Sequence, residues 1–147
     1  MRFKIFESPL DKMDLQRPFS NTEAGGYVSF EGWVRNENEG QQVIALEYEA
    51  YIELAEKEGE LILIEACNKF DIIEIRCGHR VGQLKLGDLA VWVGVSAVHR
   101  SDAFKACRYT IDEVKKRIPI WKKEYYKNGN SGWLCPVEGY SQATKKR

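Results

Sequence analysis

Phe104, Cys107, Ile111, Val114 and Ile118 recur at steps of three and four, and no other feature constrains the folding of this chain as tightly. That spacing is one apolar face of a 3.6-residue helix, so the segment must lie along a core with this face inward. Ser101 and Asp102 supply an expected N-cap and an acidic first turn, and Pro119 marks the end. Cations gather at both ends. His99 and Arg100 precede the helix, and Lys115, Lys116, Arg117, Lys122 and Lys123 crowd its far side. Arg108, Lys115 and Lys122 recur every seven residues, so a helix running on past Pro119 would line them along one flank of the buried face. Charge beside an apolar face, rather than opposite it, points to the edge of a pocket.

Strand signals surround the helix. Residues 24–34, AGGYVSFEGWV, and 43–51, VIALEYEAY, alternate as strands with one buried face. The polar stretch RNENEGQQ at 35–42 carries turn chemistry, so the two strands are expected to pair as a hairpin with a long loop. Shorter strands are predicted at 2–6, 72–80 and 84–86, a stronger one at 89–98, and one or two helical turns within 11–19. Residues 52–70 have a helical period with Gly59 as its weak point, which could bend the helix or split it. Trp133-Leu134 is expected to dock on the body of the protein. The fold class is therefore α+β, a mainly antiparallel sheet with packed helices. Residues 1–140 are expected to form a single domain and 141–147 a frayed C-terminal tail.

With 147 residues, 44% of them hydrophobic, the chain can bury a sizeable core, and its formal net charge of zero gives no global pull toward nucleic acid or anionic membrane. Anion binding must come from local clustering. No apolar segment follows Met1-Arg2-Phe3-Lys4, and Gly94 and Ser96 interrupt the longest apolar run, so the expected location is cytoplasmic. Cys67, Cys77, Cys107 and Cys135 form no C-x-x-C pair and are expected to be buried core thiols. A catalytic cysteine would have only His79 or His99 as a base, and no metal ligand set is visible.

His79-Arg80 and His99-Arg100 both end predicted strands, where an arginine fork and a histidine suit phosphate or carboxylate. His99-Arg100 also lies at a helix N-terminus, which favours an anion. Surface pairing with nearby acids is the alternative at both places. The basic far end of the helix has two readings as well. Cations there complement the helix dipole, yet Lys115 adjoins Ile111 and Val114, and Lys122 adjoins Trp121, so apolar contact could depress a lysine pKa and allow proton exchange. Arg35 closes a strand and can present its guanidinium beside Phe30 and Trp33.

Taken together, FEGWVRNENEG at 30–40, LEYEAY at 46–51, HRVGQLKLGD at 79–88, VGVSAVHRSDAFKAC at 93–107 and IDEVKKRIPIWKKE at 111–124 make the chain resemble the large, catalytic subunit of molybdopterin synthase. Their order and spacing carry the resemblance along nearly the whole chain. It implies an α/β hammerhead-like arrangement and a sulfurtransferase that puts two sulfurs into cyclic pyranopterin monophosphate, forming the molybdopterin dithiolene. The sulfur would come from a separate ubiquitin-like small subunit whose C-terminal Gly-Gly carries a thiocarboxylate. A homodimer of large subunits would stand at the centre of a heterotetramer, with no permanently bound cofactor and no metal. By match to the family, Lys115 and Lys122 are catalytic and Arg35 lies near the substrate. His99 and Arg100 bind its anionic end from the neighbouring protomer, and Trp33, Val34, Lys123 and Glu124 flank it. Two rivals keep parts of this pattern. A non-catalytic module of the same fold could bind a phosphorylated ligand or a partner tail, but it has no need of both lysines. A nucleic-acid-binding domain could use residues 115–127 with Lys145-Lys146-Arg147, against which stand the neutral net charge and the absence of a recognised motif.

Overall fold

The structure, a computed structural model, describes residues 2–137. In chain order the elements are β1 (Phe3–Phe6), α1 (Lys12–Gln16), β2 (Gly26–Trp33), β3 (Glu37–Asn38), β4 (Gln41–Ala50), α2 (Ile52–Lys69), β5 (Glu74–Arg80), β6 (Gly82–Lys85), β7 (Leu89–Ala97), α3 (Arg100–Arg117), β8 (Ile120–Tyr126) and β9 (Gly129–Asn130). One sheet has the order β1-β5-β7-β2, with β1 parallel to β5 and the other neighbours antiparallel. The second runs β3-β4-β8-β9 with β6 on the other side of β4, all antiparallel. The architecture is α+β.

Both long helices pack on the first sheet. Ile62 and Leu63 of α2, Ala106 and Val114 of α3, and Val93 and Val95 of β7 belong to one buried cluster. A second, smaller cluster of Val34, Val43, Leu46, Leu84 and Ala90 joins the two sheets. β7 is the hub. Nearly every residue in it is buried, with the helices over one face and Trp92 filling the other, which explains its continuous apolar run.

Several local expectations change in three dimensions. The strands at 26–33 and 41–50 do not form a hairpin: β2 pairs along its length with β7, and β4 pairs with β6 and β8. Alternation fixes which face of a strand is buried but leaves its partner open. A register shift between Gly32 and Trp33, followed by the Val34 N–H bond to the Asp88 carbonyl at 3.0 Å, ends the first pairing and carries the chain across to the second sheet. The polar stretch at 35–42 contains a small hairpin of its own. Glu37 pairs with Gln42 and Asn38 with Gln41, around Glu39 and Gly40 at φ 49° and 81°. Two successive positive φ values are the geometry of a type I′ turn.

α2 runs through Gly59 unbroken because that glycine faces Phe3, and a Cβ there would lie 2.1 Å from the ring. The cap of α3 is His99, with no side-chain cap hydrogen bond, so Ser101 and Asp102 lie inside the first turn. Phe104 is exposed rather than buried; Ala103, Ala106, Cys107, Thr110, Ile111 and Val114 form the inner face. Small residues at the contact let the helix approach the sheet closely, which rotates Phe104 outward. The helix stops at Arg117, since Pro119 holds Ile118 extended (φ −77°, ψ 125°), and Lys122 therefore lies on a strand. Cys77 and Cys107 are buried as expected, but Cys67 and Cys135 are only half-buried; all four thiols are free. Leu134 docks on β8 by paired backbone bonds to Lys122 of 2.7 and 2.8 Å, and Trp133 is buried. The proposed tail at 141–147 lies outside the described residues. Among those described, no helix is long and apolar enough to cross a membrane.

Candidate active site

Where the last turns of α3 approach both sheets, a cavity of about 460 Å³ opens between them. α3 contributes Ile111, Val114 and Lys115, β8 contributes Ile120 and Lys122, and β4 and β5 contribute Tyr48 and His79. The segment at 134–136 closes one side, bringing Cys135 to the wall, and Trp33 with the Asn38-Glu39 hairpin closes another. The site is a product of the chain reversal at Pro119. Period-two alternation on β8 turns Lys122 and Glu124 to the cavity side and Lys123 to the other, where its ammonium stacks 4.7 Å from the Trp133 ring centroid.

The charges are uneven. Glu124 is a buried carboxylate; it accepts from Asn38 Nδ2 at 2.8 Å and Tyr126 Oη at 2.9 Å, and lies 3.4 Å from Lys122 Nζ. Lys115 has no carboxylate within ion-pair distance among the described residues. Although the residue as a whole is solvent-exposed, partial burial lowers the pKa of its amine, and the positive charges of Lys122 and Arg35 lower it further. Lys115, Lys122 and Arg35 thus stand against two carboxylates, the buried Glu124 and the exposed Glu39 at the cavity wall, and the surplus positive charge suits an anion. Ala90, Val91, Ile111 and Val114 supply an apolar wall, which strengthens the electrostatic interactions beside it.

Two neutral polar rings complete the interior. Burial pushes the Tyr48 hydroxyl up to about 12, with the Glu124 charge adding to it. Burial drives His79 down to about 4; Lys115 reinforces this and a hydrogen bond with the Arg80 carbonyl opposes it. That carbonyl, 2.8 Å from Nδ1, can only accept, so Nδ1 carries the proton of a neutral imidazole. The ring stands edge-on to Tyr48 at 5.0 Å. Arg80 itself is paired with Asp88 at 3.2 Å and the Gln83 carbonyl at 3.0 Å, which is the surface pairing open to it from sequence.

Of the residues singled out from sequence, Trp33, Lys115 and Lys122 line the cavity. Arg35 and Glu124 stand immediately behind, joined through Asn38. Val34 buries its side chain in the smaller cluster, and its backbone bonds to Gly87 and Asp88 rather than lining the cavity. His99 and Arg100 are exposed at the opposite end of α3, about 22 Å along the axis from Lys115 at 1.5 Å per residue. Sequence reasoning missed Asn38, Tyr48 and Cys135 as cavity residues and gave His79 no role there. The positive-φ turn would have exposed Asn38, had Glu39-Gly40 been read as a hairpin.

A cationic small-molecule cavity set between a mixed sheet, an antiparallel sheet and a packed helix is the class that fold and site define. Within it, the chain belongs to the MoaE protein family, whose model matches residues 5–117. It is 48% identical over 128 residues to the molybdopterin synthase catalytic subunit of Pyrococcus abyssi, covering 87% of this chain and 84% of that one. Against the Thermoplasma volcanium catalytic subunit the identity is 43% over 130 residues, covering 88% and 95%. The crystal structure of molybdopterin synthase from Staphylococcus aureus superposes with a TM-score of 0.85 at 36% identity, covering 91% of this chain and 97% of that one.

Proposed function

We propose that this chain is the catalytic subunit of a molybdopterin synthase in the cytoplasm, transferring two sulfurs from a thiocarboxylated small subunit to cyclic pyranopterin monophosphate. The observation that carries the reading is the meeting of Lys115 and Lys122 in one cavity from a helix and a strand. The names of the relatives support the same reaction. Each sulfur arrives as an acyl thiocarboxylate. At each attacked side-chain carbon a carbon–sulfur bond forms as a carbon–oxygen bond breaks, the oxygen leaving as water or with the opened phosphate ester. Water then cleaves the acyl–sulfur bond, leaving the carrier with a carboxylate.

Such chemistry needs proton transfer at the attacked carbons and a stabilised acyl oxyanion. The lowered pKa of Lys115 supports the first role. The ion pair that holds Lys122 to Glu124 supports the second, orienting the thiocarboxylate or the substrate. Arg35 faces the phosphate, and Trp33, Val34, Lys123 and Glu124 flank the substrate. His99 and Arg100 act at the cavity of the neighbouring protomer in a homodimer of large subunits, with a small subunit at each end of the heterotetramer. The partner delivers the sulfur, so the reaction calls on no resident cofactor or metal.

The test mixes the purified chain with cyclic pyranopterin monophosphate and a thiocarboxylated small subunit, and reads molybdopterin as its oxidised fluorescent derivative in a single turnover. Product is expected, with a loss of about a thousandfold in Lys115→Ala. Near-normal rates in both Lys115→Ala and Lys122→Ala would overturn the assignment. A stable complex that makes no product would leave a binding relative of the same fold.

A further inference from the structure

We propose that Asn38 is a positioning residue of this site: its amide bridges Arg35 to Glu124 and so holds Lys122 at the reaction centre. The inference rests on the synthase reading above and adds a residue to it. Asn38 Nδ2 donates to Glu124 Oε2 at 2.8 Å, and that same oxygen lies 3.4 Å from Lys122 Nζ. Tyr126 donates to the other oxygen, Oε1, at 2.9 Å. Both oxygens of the carboxylate are therefore anchored, one by Asn38 of β3 and the other by Tyr126 two residues along its own strand, and its orientation is set before any ligand enters. Lys122 has Lys115 as a repelling neighbour, so the fixed carboxylate decides where its ammonium stands.

The residue type follows from the chemistry on either side. Arg35 can only donate and a carboxylate can only accept, so the group between them must accept on one side and donate on the other. A planar amide does both at once. The Asn38 Oδ1 contact to Arg35 Nη2 is long, 3.4 Å, whereas the bond to Glu124 is short. At those lengths the Arg35 end is the weak link, which leaves the guanidinium able to turn to an incoming anion while Lys122 stays in place. The backbone of Asn38 is fixed by its pairing with Gln41 beside the positive-φ turn.

The test uses Asn38→Ala and Asn38→Asp in the assembled complex with the thiocarboxylated small subunit. It reads the single-turnover rate against substrate concentration and pH, together with Tm. Asn38→Ala is expected to lower the saturated rate about tenfold or more while changing KM less than about twofold. Asn38→Asp sets a second carboxylate against Glu124. The charged groups around the pair are Lys122 on the strand of Glu124, Arg35 ahead of β3, Glu39 in the turn after β3 and Lys115 on α3; Tyr126 and Tyr48, from β8 and β4, stay neutral. Two carboxylates in contact cannot both ionise, so Asn38→Asp regains rate, relative to the wild type, below about pH 6, whereas Asn38→Ala does not.

An effect confined to KM would make Asn38 a substrate contact and overturn the positioning role. So would parallel pH profiles in the two variants, or a fall in Tm with the rate per folded chain unchanged. Product from the wild type with an equal rate in Asn38→Ala overturns this inference alone. No product from the wild-type complex overturns the synthase reading and this role with it.

Discussion

Lys115 and Arg117 stand two residues apart on the last turn of α3 and occupy opposite electrostatic settings. Arg117 meets Glu65 through both nitrogens at 2.6 and 2.9 Å, Glu113 at 3.2 Å and Glu58 at 3.9 Å. Tyr109 donates to the same Glu65 at 2.7 Å. Arg117, with Tyr109 second, holds the Glu65 carboxyl down at about 2. This cluster ties α3 to α2. Lys115, about 200° away around the helix at 3.6 residues per turn, meets the cations Lys122 and Arg35 instead. A cation outnumbered by carboxylates is committed to the fold, whereas cations outnumbering the carboxylates beside a cavity leave charge for a ligand. Composition counts the two residues alike; their surroundings separate stability from chemistry.

The strongest way to break this comparison is to exchange the consequences. Lys115→Ala is expected to remove about a thousandfold of the single-turnover rate with Tm unchanged, and Arg117→Ala to keep the rate per folded chain. Loss of turnover without loss of stability in Arg117→Ala would end the distinction.

Acid unfolding sharpens it further, because the two regions titrate in different windows. His79, at about 4 in the fold against an ordinary 6.5, stays neutral while the unfolded chain takes up its proton. Its contribution is therefore complete above pH 6.5 and is lost as pH falls toward 4, by up to about 3 kcal/mol. Glu65, at about 2 against 4.5, contributes above pH 4.5 and loses its contribution as pH falls toward 2. Urea unfolding from pH 7 to pH 3 should show the upper step vanish in His79→Gln and the lower one shrink in Arg117→Ala. A single slope unchanged by either substitution would contradict both origins.

Smaller effects test the frame that holds the two regions apart. Gly59→Ala gains about 1 kcal/mol of helix propensity but drives a Cβ into the fully buried Phe3 ring, for a net loss of about 2 kcal/mol by denaturant unfolding. Arg117→Ala should cost about 1 kcal/mol, since these pairs are partly exposed and screened by solvent. A stabilised Gly59→Ala would mean that β1 can withdraw from α2.

Much of the architecture was legible locally. Period-two alternation marked β2 and β4, the buried run marked β7, and Pro119 marked the end of α3. The failures lie where a local pattern had to choose a partner. Alternation could not say that β2 joins β7 rather than β4, because every strand with one apolar face offers the same backbone bonds. Helical period placed Phe104 inside, yet the small residues Ala103 and Ala106 set the contact and turned it out.

The sequence by itself determined the helix, the neutral net charge, the break at Pro119 and the types of the reactive side chains, since propensity, periodicity and residue chemistry act over a few neighbours. Tertiary structure alone decided which cations share a cavity. Lys115 and Lys122 meet because β8 folds back beside α3, not because one helix carries both. Asn38, Tyr48 and His79 arrive there from three separate strands. Charge surplus, burial and the pKa shifts that follow depend on distances through space, which no spacing along the chain encodes.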